Sequence, residues 1–313
     1  MRTHRGDTQT PNAMTHSRRD FLLHSSAALA AAALAAPTTS LFGAGTPKRS
    51  IKKAIMFATV GVKGSVLEKM KAVKEAGFEG VEPMSHMDQD EVAKALEATG
   101  LKAASVCCST HWHETLTHNS EAVRNRGLEG LKQALKDAKR YGATSVLLVP
   151  GVVSKEVSYA DAWKRSIEQI RKAIPLAKEL QVKIAIENVW NNFLLSPIEA
   201  ARFVDECKSP WVGWHFDIGN VIHYGWPEQW IQTLGKRISR LHIKEYSRDK
   251  SDKQGRYAGF NVKFLEGSND WPTVMKALDS IGYSSWGIAE QGGGDTPEGL
   301  KDLADRMDKI FAS

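Results

Sequence analysis

The sequence predicts an α/β protein folded as one (β/α)8 TIM barrel. From Ile51 onward, short apolar runs alternate with longer amphipathic ones, the mark of repeated βα units. Eight such units can be counted, the number that closes a barrel. Polar residues able to do chemistry end four consecutive apolar runs, as they do at a barrel mouth. With 313 residues, 42% hydrophobic and 25% charged, the chain is long enough for this domain and a leader.

Taken in order, the expected strands are Ile51 to Ala58, Phe78 to Pro83, Leu101 to Cys108, Ser145 to Pro150, Val182 to Glu187, Val212 to Asp217, Ile238 to Ile243 and Trp286 to Glu290. The helices between them are expected to begin near Ser65, Asp88, Glu121, Tyr159, Ser196, Pro227, Pro272 and Thr296. In Ser196-Pro197 and Thr296-Pro297 a capping hydroxyl precedes proline at the first helical position. Gly77, Gly100 and Gly142 close other helices. The stretch Glu245 to Asn269, rich in Lys, Asp, Ser and Gly, shows no clear periodicity after the seventh strand. It is expected to be a long loop that shapes the substrate pocket.

Residues 1–45 differ in composition and are assigned to a signal and leader, leaving the barrel over residues 46–313. Ser17-Arg18-Arg19-Asp20-Phe21-Leu22-Leu23 reads as a twin-arginine export signal ahead of an alanine-rich run. That run, Leu22 to Ala36, falls short of the roughly 20 residues a spanning helix needs, which favours a cleavable signal over a membrane anchor. Cleavage is expected after Ala35 or Ala36, and the mature enzyme is expected in the periplasm or another extracytoplasmic space. The formal charge of +6 becomes +4 without residues 1–36, which carry four arginines and two aspartates; so mild an excess does not argue for a nucleic-acid partner. Cys107, Cys108 and Cys207 are an odd number and imply no disulfide framework; the vicinal pair reads as small buried strand residues.

The chemistry lies at the ends of strands five to eight. Val182-Lys183-Ile184-Ala185-Ile186 runs into Glu187, and Val212-Gly213-Trp214-His215-Phe216 into Asp217; Arg240-Leu241 precedes His242, and Gly287-Ile288-Ala289 precedes Glu290. In a barrel, three carboxylates and an imidazole therefore meet at one mouth. Left uncompensated, the carboxylates repel one another and burial drives each towards protonation. One divalent metal ion resolves the conflict. Oxygen ligation with a single nitrogen points to Mn²⁺, with Mg²⁺, Co²⁺ or Zn²⁺ as alternatives.

At these residues the chain resembles the xylose-isomerase-like barrels, which include sugar-phosphate isomerases and epimerases, hydroxypyruvate isomerase and ketose 3-epimerases. The resemblance runs from about Ile51 to the end. It rests on Glu187 in Ile-Glu-Asn, on Phe-Asp-Ile-Gly-Asn at 216–220, on His242-Ile-Lys-Glu245-Tyr-Ser-Arg248, and on Glu290. It implies a metal held by Glu187, Asp217, His242 and Glu290, with both glutamates also acting as acid and base, and Arg248 touching substrate. Proton transfer between faces then gives epimerisation, and return to the neighbouring carbon gives isomerisation. Two positions depart from the ketose-epimerase pattern: Asn220 stands where a histidine is frequent, and Phe193 where a glutamate is. They leave the substrate open and the metal site intact. Family members often form homo-oligomers, but no feature of this sequence fixes one.

Other polar residues carry two readings. His111 and His113, after strand three, are candidates to hydrogen-bond sugar hydroxyls or to ligate a second metal, or are exposed loop histidines. Trp112 between them stacks on a sugar or plugs the rim. Glu82 and His86 follow strand two and are evenly balanced. His215 shares the inward parity of Asp217 and reads either as its orienting partner or, more readily, as a satisfied core histidine. Lys244 shares the parity of His242 and is a candidate for holding an enediolate oxygen or an anionic group, or else a solvated rim lysine; Asn220 is a further candidate substrate contact. Trp190, Asn191 and Asn192 are candidate pocket walls.

The sequence thus favours a metal-dependent isomerase or epimerase of a small sugar. Export argues for an unphosphorylated sugar or keto-sugar, since sugar phosphates are cytoplasmic. A lyase or hydrolase-like enzyme on 3-keto-glycosides is a variant using the same metal site. An apurinic endonuclease needs additional histidines, whereas Asn220 and Asp249-Lys250-Ser251-Asp252 stand in their place. A non-catalytic sugar-binding protein has no need of two opposed glutamates.

Overall fold

Nine parallel strands wind into one sheet: β1 (Lys52–Met56), β2 (Gly80–Glu82), β3 (Lys102–Ala103), β4 (Val106–Cys107), β5 (Ser145–Leu148), β6 (Lys183–Glu187), β7 (Val212–Asp217), β8 (Ile238–Ile243) and β9 (Trp286–Ala289). Their order is β3-β2-β1-β9-β8-β7-β6-β5-β4. The computed structural model describes residues 49–313; the twin-arginine segment lies outside them. β3 and β4 are the two halves of the expected third strand, which breaks at Ala104 and Ser105. The second strand holds both halves, because Ala104 N–H donates to Val81 O and Cys107 N–H to Pro83 O, each at 2.9 Å. A bridge between Met84 and Cys107 closes the ring. The architecture is the expected (β/α)8 barrel.

Helices cover the outside and begin where the sequence indicates. Ser196 and Thr296 accept the backbone N–H groups of Glu199 and Gly299, with proline at the first turn of each helix. Among the described residues no helix is long and apolar enough to cross a membrane. The main core lies between strands and helices. A small apolar layer of Ala54, Ala104 and Ile288, with Met56 and Trp286 against it, fills the barrel interior. Gly80 is required in this layer: a Cβ there would stand 2.7 Å from both the Trp286 ring and the Lys102 carbonyl.

Two expectations are corrected. The third strand is discontinuous, and the carbonyl of Ala104 at its break accepts from Arg240 Nε at 2.7 Å across the barrel floor. The stretch after strand seven is not featureless; it contains a helix, Arg248–Gln254, and a 3-10 turn, Arg256–Phe260. Buried Glu245 organises it by accepting from Leu265 N–H at 2.8 Å, Asn269 N–H at 3.2 Å and Trp271 Nε1 at 2.8 Å.

Candidate active site

Register brings the strand ends together. Glu187 stands opposite His215 and Asp217 opposite His242. A shift in register between Trp214 and His215 sets Arg240 against His215 and makes His242, not Leu241, the partner of Asp217. Ligand atoms of Glu187, Asp217, His242 and Glu290 then lie within 4.8 Å of one another. His242 Nδ1 is 2.8 Å from Glu187 Oε1 and 2.9 Å from Glu290 Oε2. Lys244 Nζ is 3.2 Å from Asp217 Oδ2 and 2.9 Å from Glu290 Oε2.

Asp217 divides its two oxygens. Oδ1 accepts the Asn220 N–H at 2.9 Å and caps the short helix Ile218–Ile222, while Oδ2 faces the cluster. Asn188 fixes its backbone: Oδ1 accepts Asp217 N–H at 3.0 Å and Nδ2 donates to Asp217 O at 2.7 Å. Gly219 is needed because a Cβ there would lie 2.7 Å from Lys244.

Burial and charge pull these groups in different directions. Burial pushes the Glu187 carboxyl up to about 7 against the attraction of His242. It pushes Asp217 up to about 6 against that of Lys244. At Glu290 burial is outweighed by Lys244 and His242, which hold the carboxyl well below its usual range. The two glutamates diverge because Lys244 contacts Glu290 alone. Burial also opposes the charge of His242, but Glu290, Glu82 and Glu187 raise it well above its ordinary value. Lys244 is held charged by Asp217, Glu290 and Glu187 in spite of burial.

Four carboxylates, Glu82 included, thus face two cationic side chains, so negative charge is left uncompensated. Three carboxylates converging with one imidazole nitrogen suit a hard or borderline divalent ion, so the residues fit a metal. Glu187, Asp217, Glu290 and His242 Nδ1 would hold it.

A cavity of about 380 Å³ opens over this cluster, lined by Glu187, Glu290, His242, Lys244, His111 and Asn220, with walls from Met56, Cys107, Val189, Trp112, Trp190, Tyr257 and Phe260. His111 is buried, and burial lowers its pKa to about 3, so the ring is neutral. Its Nδ1 accepts the Val149 N–H at 3.2 Å, which leaves Nε2 as the protonated nitrogen and a donor. Trp112 is half-exposed beside it.

Some expected site residues are not brought there. His113 is exposed in the turn beyond His111 and does not line the cavity. Arg248 turns away: Nε donates to Ile222 O and Nη2 to Gly225 O, both at 2.8 Å, with the guanidinium over Trp226. His86 borders a separate groove. Asn191 is a structural anchor, donating to Gly151 O at 2.6 Å. His215 is not a satisfied core histidine, since both ring nitrogens are buried without a hydrogen-bond partner. Burial keeps that ring neutral. Its neighbour is Glu82 rather than Asp217, with Nδ1 3.9 Å from Glu82 Oε1. Neither Asn188 nor Arg240 stands out in the sequence as a site residue; the signals for them are the place of Asn188 in Ile-Glu-Asn and the inward parity of Arg240 with His242 and Lys244.

The sequence pattern of the xylose isomerase-like TIM barrel family matches residues 70–310. The chain belongs to that family. L-ribulose-5-phosphate 3-epimerase UlaE of Escherichia coli O157:H7 (strain EC4115 / EHEC) is 26% identical over 232 residues, 69% of this chain and 78% of its own length. The solved structure of 3-keto-D-glucoside 4-epimerase, YcjR, from E. coli matches with a TM-score of 0.70 at 16% identity, over 83% of this chain and 98% of that one. The IOLI protein, solved with a bound zinc atom, matches with a TM-score of 0.69 at 18% identity, over 83% and 98%. The two solved structures are similar in fold; the match to the epimerase extends to sequence.

Proposed function

We propose that this xylose isomerase-like barrel is an exported, metal-dependent epimerase or isomerase of an unphosphorylated sugar or keto-sugar. The observation that carries the reading is the convergence of Glu187, Asp217, His242 and Glu290 beneath one cavity. Mn²⁺ suits this ligand set best. A divalent ion held there would supply Lewis acidity towards a carbonyl and its neighbouring hydroxyl, acidifying the C–H bond between them.

The chain's own residues do the rest. One of Glu187 and Glu290 removes that proton and the other, or the same group, returns one. Delivery to the opposite face of the same carbon inverts it; delivery to the neighbouring carbon exchanges aldose and ketose. The Lys244 ammonium and the His111 Nε2–H support charge on the enediolate oxygens. Trp190 and Phe260 wall off water. Lys244 is the single lysine or arginine among the described lining residues, and it is already paired with Asp217 and Glu290, which favours a neutral sugar over a phosphate. Export rests on the twin-arginine segment.

A second reading follows from Trp112 and Tyr257, exposed by 47% and 63% at the rim, where an aglycone would stack. On a 3-keto-glycoside the same proton abstraction would expel a leaving group. Both are tested by solvent deuterium incorporation, read by mass spectrometry, into free aldoses, ketoses and 3-keto-glucosides with Mn²⁺-loaded protein. Metal-dependent exchange, lost in Glu187→Gln and Glu290→Gln while sugar binding persists, is the expected result. Exchange unchanged in both variants would refute the mechanism.

A further inference from the structure

We infer that Glu82 is the positioning carboxylate of the metal centre: it takes the Nε2–H of His242 and so commits Nδ1 to the ion. This rests on the metal-centre reading above. Glu82 ends β2 on the inward face, fully buried, with Oε2 3.0 Å from His242 Nε2. Nδ1, on the other side of the same ring, faces Glu187 and Glu290 at 2.8 Å and 2.9 Å. A neutral imidazole carries one proton, and only the bare nitrogen can bind a metal. Which nitrogen is bare is decided by the partner of the other. Carboxylates flank both nitrogens, so an ion that displaces the Nδ1 proton from Glu187 and Glu290 leaves the remaining proton held at Nε2 by Glu82, with the freed lone pair facing the ion.

The setting of Glu82 agrees with this role. A buried carboxylate is costly unless compensated, and no lysine or arginine among the described residues forms an ion pair with it. Its charge contacts are His242 and, at 3.9 Å, His215 Nδ1. Its second oxygen has no hydrogen bond. Stability alone would be served by an apolar residue at this position. His215 sets its ring 4.2 Å from that of His242, centroid to centroid and 67° inclined, which restrains the imidazole without competing for Nε2–H.

Glu82, His215 and His242 also lie close enough to hold an ion themselves. An ion there together with one at the main site would require His242 to lose both ring protons and bridge as imidazolate, whereas the hydrogen bond requires no such loss. The geometry favours the hydrogen bond.

The test is Mn²⁺ titration of the purified native protein and of Glu82→Gln, with thermal unfolding of the metal-free forms to report folding. One equivalent of Mn²⁺ in the native protein and about 10- to 100-fold weaker binding in the variant, the range for loss of such a partner, are expected. In zinc-loaded native protein carrying ¹⁵N-histidine, NMR should place the His242 proton on Nε2; this measurement stands even if the variant does not fold. Affinity within about twofold of native, or a proton missing from Nε2, would overturn the role of Glu82 while leaving the metal centre standing. Two equivalents in the native protein, one of them lost in the variant, would replace the hydrogen bond by a second ion. Failure of the native protein to bind any ion would overturn the metal centre and this inference together.

Discussion

Metal uptake should depend steeply on pH, because the ligands must be deprotonated to bind. The perturbation is a change from pH 8 to pH 5.5. Burial raises Glu187 to about 7 and Asp217 to about 6, so both are largely ionised at the upper pH and protonated at the lower. Releasing those protons at pH 5.5 costs ~30-fold in affinity for Glu187 and ~4-fold for Asp217, together ~100-fold or ~3 kcal/mol. His242, raised by its carboxylate neighbours against the effect of burial, must also free Nδ1, which steepens the dependence. A ligand set with ordinary values would lose only about tenfold over this range, all of it from the histidine. Isothermal titration with Mn²⁺ at the two pH values measures the difference. A loss of tenfold or less would refute the claim that burial, uncompensated by the surrounding cations, governs these carboxyls.

Three further outcomes follow from the same geometry. Glu187 and Asp217 have folded values raised above their unfolded ones, so the stability they lend is present below about pH 4 and lost as pH rises through 6 to 7. Glu290, held low, is already ionised across that window. Thermal unfolding in chelator should therefore show Tm falling between pH 5 and pH 8, with excess Mn²⁺ restoring it; a Tm that climbs steadily in chelator would contradict this. Arg240→Met should cost about 2–4 kcal/mol in denaturant unfolding, because it strands the buried acceptor Ala104 O and removes the part-buried hydrogen bonds to Ser239 O, Ser285 Oγ and Thr144 Oγ1. Arg248→Ala should destabilise by about 1–3 kcal/mol through Ile222 O and Gly225 O while KM changes less than about threefold; a large rise in KM with stability intact would return Arg248 to the substrate.

The sequence by itself determined the barrel and the four strand-end residues of the candidate metal cluster, for local reasons. Alternation of apolar runs sets the βα repeat, and period-two geometry decides which residues of a strand face inward. Glu187, Asp217, His242 and Glu290 could be placed from those rules alone. The helix starts were equally local, since Ser196 and Thr296 cap residues three positions ahead.

Tertiary structure decided what depends on distant partners. Glu82 meets His242 across 160 residues, and Arg240 reaches Ala104 across 136. No spacing rule connects such pairs. His215 was read inward correctly, yet its neighbour is set by the ring's curvature, which brings β2 within reach rather than the far oxygen of Asp217. Arg248 shows the converse: its motif spacing is intact, but the helix that begins there points the guanidinium at unpaired carbonyls before Trp226, whose hydrogen-bonding demand captures it. Strand ends are fixed by the periodicity of the chain, whereas the second layer around them is fixed by which buried polar groups remain to be satisfied once the barrel has closed.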